Sequence, residues 1–207
     1  MTPQQRFNQL QADSLIEAFA QRNISALYCE TKADALSAAL ALVPPGATVS
    51  CGGSATLHEI GLHAALHAHD CDFWNPDAAQ GGRAKDAVAR QALSADCYFM
   101  SANAIAATGE LVNIDGYGNR TAALIFGPQK VIVVAGMNKV EPTLDAALLR
   151  ARRVAAPLCM LLFKQDYASF EELQRAADEA CRQTVVTASS VTPGRIHVLL
   201  VGERLGL

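Results

Sequence analysis

Two stretches of the sequence concentrate residue types that handle anions and protons. In Val49-Ser50-Cys51-Gly52-Gly53-Ser54-Ala55-Thr56, two glycines and two hydroxyls stand where an extended run hands over to a helical one. Glycines let the backbone approach a ligand closely, and free N–H groups at a helix start attract phosphate or carboxylate. A tight turn with a helix cap would use the same residues, and the pattern is neither G-x-G-x-x-G nor a P-loop. Its expected place at the carboxyl end of a parallel strand, where α/β sheets collect ligands, makes Gly52, Gly53, Ser54 and Thr56 ligand-binding candidates. The second stretch, Ser101 to Arg120, holds Asn103, Glu110, Asn113, Asp115, Asn119 and Arg120. Turn building explains Asp115-Gly116 and Gly118-Asn119 but not this density of side-chain donors. Glu110, Asp115 and Arg120 are therefore the catalytic candidates. The carboxylates suit proton transfer, and the arginine fork suits a ligand carboxylate or phosphate, or the task of holding Asp115 or Glu110 in place. Asn103 and Asn119 join the ligand-binding set. So does Lys139, just past the apolar run Val131 to Ala135, although a surface lysine would need no role there.

Four of the histidines, His58, His63, His67 and His69, crowd next to Asp70 and Cys71. His63 and His67 stand at i,i+4, a spacing that can bind a metal from one helix face. No glutamate completes H-E-x-x-H, and Ala64, Ala65, Leu66 and Ala68 fill the gaps, so a solvated helix face is expected and no metal. The six cysteines are scattered without a C-x-x-C pair, as small buried hydrophobes would be, and no cofactor is called for.

Positioning these residues requires an alternation of strands and helices. Apolar residues recur at helical spacing over about Gln4 to Arg22. Ile24 to Cys29 reads as a strand, Thr31 to Val43 as a capped helix and Ala47 to Cys51 as a strand; Ser54 or Thr56 with Glu59 opens the next helix. Strands follow at Cys71 to Trp74 and Asp96 to Ser101, with a helix from Arg83 to Leu93 between them. Leu111 to Ile114 is extended, and Thr121 to Phe126 fits strand or helix. Val131 to Ala135 suits a strand buried on both faces. Helices open at Thr143 and, with a second capping box, at Ser169, the latter running to about Gln183. Thr184 to Thr187 and Ile196 to Val201 close the chain as strands. This order predicts an α/β fold, a parallel sheet sandwiched between helices as three layers, in one domain over residues 1–207.

Composition narrows the function classes. With 51% hydrophobic and 18% charged residues, the 207-residue chain is not disordered, and a net charge of −3 offers no field for nucleic acid. No apolar run approaches the length of a membrane span, and the first residues lack the order of a signal peptide, so the expected location is the cytoplasm.

Several ordered motifs together resemble the LUD (lactate utilisation, LutC-like) domain family: Ser50-Cys51-Gly52-Gly53-Ser54-Ala55-Thr56-Leu57-His58-Glu59-Ile60-Gly61, Asn103-Ala104-Ile105, Gly109-Glu110-Leu111-Val112-Asn113-Ile114-Asp115-Gly116, Gly118-Asn119-Arg120, Phe126-Gly127-Pro128 and Val201-Gly202-Glu203-Arg204-Leu205-Gly206. The resemblance spans nearly the whole chain. It implies the NagB/RpiA/CoA-transferase-like fold, and a role in bacterial L-lactate oxidation to pyruvate alongside an iron–sulfur subunit and a cysteine-rich subunit. It is also compatible with a homo-oligomer. Relatives often carry clustered cysteines before the final strands; here Cys159 and Cys181 stand alone, so no cluster or zinc is expected there. Isomerases of related fold use an aspartate where this chain has Asn103, whose amide cannot transfer protons. The readings left open are a lactate-oxidation protein binding a small anion, an independent enzyme on a sugar phosphate, CoA thioester or nucleotide-activated folate, and a non-catalytic assembly subunit.

Overall fold

The computed structural model describes residues 1–76 and 78–207. In chain order the elements are α1 (Pro3–Ala20), β1 (Ser25–Cys29), α2 (Lys32–Ala41), β2 (Ala47–Cys51), α3 (Ala55–Glu59), α4 (Leu62–Ala68), β3 (Cys71–Trp74), α5 (Gly82–Gln91) and β4 (Cys97–Met100). They continue with β5 (Ala104–Ala106), β6 (Leu111–Asp115), α6 (Asn119–Ile125), β7 (Lys130–Gly136), β8 (Val140–Glu141), α7 (Leu144–Arg150), α8 (Ala156–Phe163), α9 (Phe170–Ala180), β9 (Gln183–Thr187) and β10 (Ile196–Val201). Capping boxes at Thr2 and Thr31 start α1 and α2, and Ser169 caps α9. The segment 121–126, ambiguous by period, is helical over 119–125, and α9 ends at Ala180 because Gln183 already pairs in β9.

Six strands form one sheet in the order β1-β10-β7-β4-β2-β3, and every neighbouring pair is parallel. Alternate residues of its central strands feed two cores. Val131, Val133, Val198 and Leu200 pack with Leu15 and Phe19 of α1 on one face. Ile132, Val134, Leu199 and Val201 pack with Ala35 and Ala39 of α2 and with Leu57, Leu62 and Leu66 of α3 and α4 on the other. This is the expected helix–sheet–helix sandwich.

A second sheet, β8-β5-β6-β9, is an addition that the strand–helix alternation does not announce. β6 pairs antiparallel with both β5 and β9, so the closing strand expected over Thr184 to Thr187 forms, as β9, in this sheet and not in the parallel one. Ala104, Ala106, Val112 and Ile114 bury its other face against Ala147 of α7 and Ala151.

The winding of the large sheet locates the site. The chain moves outward from β2 to β3, then returns to the other side of β2 with β4 and proceeds through β7 to β10. The direction of winding thus reverses between β2 and β4, and the crevice beyond the carboxyl ends of strands at such a reversal is where open α/β sheets bind ligands.

Candidate functional site

Three turns leave the large sheet around that reversal: Gly52 to Ser54 after β2, Ser101 to Asn103 after β4, and Met137 to Lys139 after β7. They meet at the Lys139 amine. Met137–Lys139 form a single 3₁₀ turn that carries the side chain inward, where the residue is 3% exposed. Lys139 Nζ donates to Thr56 Oγ1 and to Ser101 Oγ, each at 3.0 Å. Among the described residues no carboxylate lies within ion-pair distance of it. Burial pulls its pKa down to about 7; Arg150 and Arg120 add to the depression, and Glu59 opposes it.

Arg120, second residue of α6, comes from the polar segment to the glycine turn. A Cβ on Gly52 would fall 2.7 Å from Arg120 Cγ and 3.0 Å from the Tyr98 hydroxyl, so only glycine lets the stem pass. Gly52 N–H donates to the Phe99 carbonyl at 2.9 Å and fixes the turn against β4. The guanidinium is directed inward: Nη2 donates to the Ile114 carbonyl at 2.6 Å and Nε lies 3.6 Å from Asp115 Oδ2. The two candidate stretches therefore converge, through Gly52, Arg120, Thr56 and Ser101.

The remaining candidates sort by what they touch. Asp115 accepts from the backbone N–H groups of Tyr117, Arg120 and Thr121 at 3.1, 3.1 and 3.2 Å, so its carboxylate holds the turn before α6 and the first N–H groups of that helix. Glu110 lies apart from the other candidates. It sits just before β6, at the opposite end of that strand from Asp115, and ion-pairs with Arg22 while accepting from Thr108. It closes the β5–β6 hairpin against the end of α1, away from Lys139. Ser54 accepts from Leu57 N–H as the cap of α3, a five-residue helix, so the glycine turn does not present a free helix start. Gly53 is exposed. Asn103 Oδ1 accepts from Ile114 N–H and ties the start of β5 to the end of β6, and Asn119 opens α6 beside Arg120, partly exposed.

Five contributors escaped the sequence reading. Arg150, at the end of α7 and before a π-helical turn at Ala151–Ala155, donates to the carbonyls of Asn103, Asn138 and Leu207, clamping two site turns and the tail. Ser101 and Tyr98 come from β4 and its end; burial pushes the Tyr98 phenol far above its ordinary range. Glu59 accepts from Gly206 N–H at 3.1 Å rather than reaching back to the start of its helix. Gly206, in the left-handed region at φ +60, lies so close that a Cβ there would meet Thr56 Oγ1 at 2.2 Å and Lys139 Nζ at 3.0 Å. Only the position of Ser101 at a strand end could have pointed to it; the others depend on tertiary approach.

The histidines do not gather around one point. His58 and His63 stack face to face at 4.0 Å, His63 Nε2 lies 3.4 Å from Cys51 Sγ, and His67 meets the Phe73 ring edge-on. Among the described residues no group of three or more histidine, cysteine, aspartate or glutamate side chains is placed to hold a metal ion. No helix among them is long and apolar enough to cross a membrane. A surface hollow lined by Pro45, Asp96, Gln129 and Lys130 lies at the amino ends of β2, β4 and β7, the wrong edge for a ligand of this sheet.

Comparison with known proteins bears on the fold and the family. No curated protein matches the chain significantly. A crystal structure of a DUF162 family protein from Deinococcus radiodurans is similar over 95% of this chain and 98% of that one, at 14% identity and a TM-score of 0.54, and so shares its fold. The eIF2B delta structure from Chaetomium thermophilum is similar over 67% of this chain and 57% of that one, at 19% identity and a TM-score of 0.37. The sequence pattern of the LUD domain matches residues 12–201, a span that takes in both sheets and all three turns meeting at Lys139, and by that match the chain belongs to the LUD domain family.

Proposed function

We propose that this chain acts in the oxidation of L-lactate to pyruvate together with iron–sulfur and cysteine-rich partner subunits, and that Lys139 receives the carboxylate of a small anionic ligand. One observation supports the ligand most: a lysine buried to 3% exposure whose close partners are two neutral hydroxyls. Placing an ammonium there without a counter-charge costs several kcal/mol, of the order seen for unpaired buried ions, and an incoming carboxylate offsets it. Arg120 and Arg150 add positive potential from α6 and α7. The family name supports the lactate part. The partner subunits are supported by α8, an apolar helix whose Leu162 and Phe163 are exposed although side chains of this type gain by being covered.

L-lactate and pyruvate are expected to raise the melting temperature of the purified chain, as ligands that bind only the folded state do, while Lys139→Met shows no shift. A host strain lacking the gene is expected to regain growth on L-lactate with the parent and not with Lys139→Met. A shift of equal size in the variant, or equal growth, contradicts the proposal.

A further inference from the structure

We propose that Lys139 is a site of reversible imine formation with a small 2-oxo acid of the pyruvate type. The inference rests on the reading above that a small acid binds at Lys139 and departs from it in one respect: towards a 2-oxo acid the amine acts uncharged, and the carboxylate is held by the positive potential of Arg120 and Arg150 instead.

An amine becomes a carbonyl nucleophile when it is kept from water and beside other cations, because both conditions favour its uncharged form. Lys139 meets both: it lies at the carboxyl edge of the sheet between β2, β4 and β7, and Arg150 and Arg120 act on it from α7 and α6. The opposing acid, Glu59, has its carboxylate turned to Gly206 N–H. At a pKa of about 7 a large share of the side chain carries a free lone pair at neutral pH, against roughly one part in a thousand for an ordinary lysine. The partners of the amine suit the remaining steps. Thr56 Oγ1 and Ser101 Oγ, both 3.0 Å from Nζ, are neutral hydroxyls that accept a proton and pass one on, which carboxylate partners would not allow without holding the amine charged.

The step balances without an external oxidant. The Nζ lone pair forms a bond to C2 of the acid, the carbonyl π pair moves to oxygen, and a proton passes from nitrogen to that oxygen through a hydroxyl, giving a carbinolamine. The carbinolamine oxygen then takes a second proton and leaves as water as the nitrogen lone pair forms the C=N bond. Amine, ketone and one proton from solvent, delivered through a hydroxyl, are consumed; a protonated imine and one water result. The acid's carboxylate faces the positive potential of Arg120 and Arg150. Gly206 lies against the amine with its N–H held by the exposed Glu59 carboxylate, and the proposal requires that contact to release as the acid approaches.

The test is reductive trapping. The 207-residue chain is incubated at about pH 7.5 with pyruvate and cyanoborohydride, digested, and mapped by mass spectrometry. The expected result is a carboxyethyl adduct on Lys139 that forms early and exceeds labelling of Lys32, Lys85, Lys130 and Lys164 by at least about tenfold, because Lys139 is the amine that burial keeps uncharged. No adduct, or adducts on those four with Lys139 unmodified, overturns the proposal. L-lactate has no carbonyl and separates the two claims. If lactate still stabilises the same preparation while pyruvate is not trapped, only the imine is wrong; if neither acid binds, the carboxylate-binding reading fails as well.

Discussion

Replacing Lys139 with methionine is expected to stabilise the protein at pH 6 by on the order of 1–3 kcal/mol while abolishing ligand binding, and to remove a pH dependence that the parent shows. The folded chain holds the Lys139 proton with a pKa of about 7, well below the 10.5 of an exposed lysine. Between those values the unfolded chain binds more protons than the folded one, so raising the pH favours folding. Relative to the methionine variant, the parent gains up to about 1.4 kcal/mol of stability per pH unit above pH 7, and the difference levels off below pH 7, where both states hold the proton. Buried thiols such as Cys29 and Cys97 ionise late and pull stability the other way at high pH, but they are common to both proteins and cancel in the difference. The groups acting on the amine, Arg150, Arg120 and Glu59, are unchanged. Urea unfolding of both proteins from pH 6 to 8.5 checks the expectation. Parallel curves would mean that the amine is not desolvated.

Asp115→Ala is expected to cost about 2–4 kcal/mol, because three backbone N–H groups at the start of α6 lose their acceptor in a place where Asp115 itself is 5% exposed. Arg120 loses its neighbouring carboxylate in the same change. Asp115→Asn keeps one acceptor oxygen and should lose roughly half as much. Denaturant melts give the ordering parent, asparagine, alanine. If Asp115→Asn instead melts like the parent but no longer supports growth on L-lactate, the carboxylate has a proton-transfer role after all.

How far the sequence carried differs from element to element. The branched run Val131 to Ala135 announces a doubly buried strand, which is β7, and Cys51-Gly52-Gly53 announces a strand end; the close approach expected there is of an anionic ligand, whereas the group that lies over Gly52 is the Arg120 stem. The second sheet was not legible. Ala104–Ala106 is too short to show a period, and β9 joins β6 across some seventy residues of chain, a pairing that no local pattern encodes. Glu110 was grouped with Asp115 by proximity in sequence, yet at roughly 3.3 Å per residue an extended strand carries groups five positions apart to its two ends. Lys139 was balanced between surface and site, because burial depends on Thr56, Ser101 and Arg150 approaching from three other elements.

The claim that a small acid binds as an anion against the Lys139 ammonium is tested most directly by counting protons. Titration calorimetry of L-lactate into the parent, repeated in buffers of different ionisation enthalpy, measures the protons taken up on binding. At pH 8.5 the free amine is mostly neutral and must be protonated to hold the carboxylate, so uptake should approach one proton per ligand and fall towards zero below pH 6. Binding with no proton uptake at pH 8.5, or uptake that persists in Lys139→Met, would contradict it.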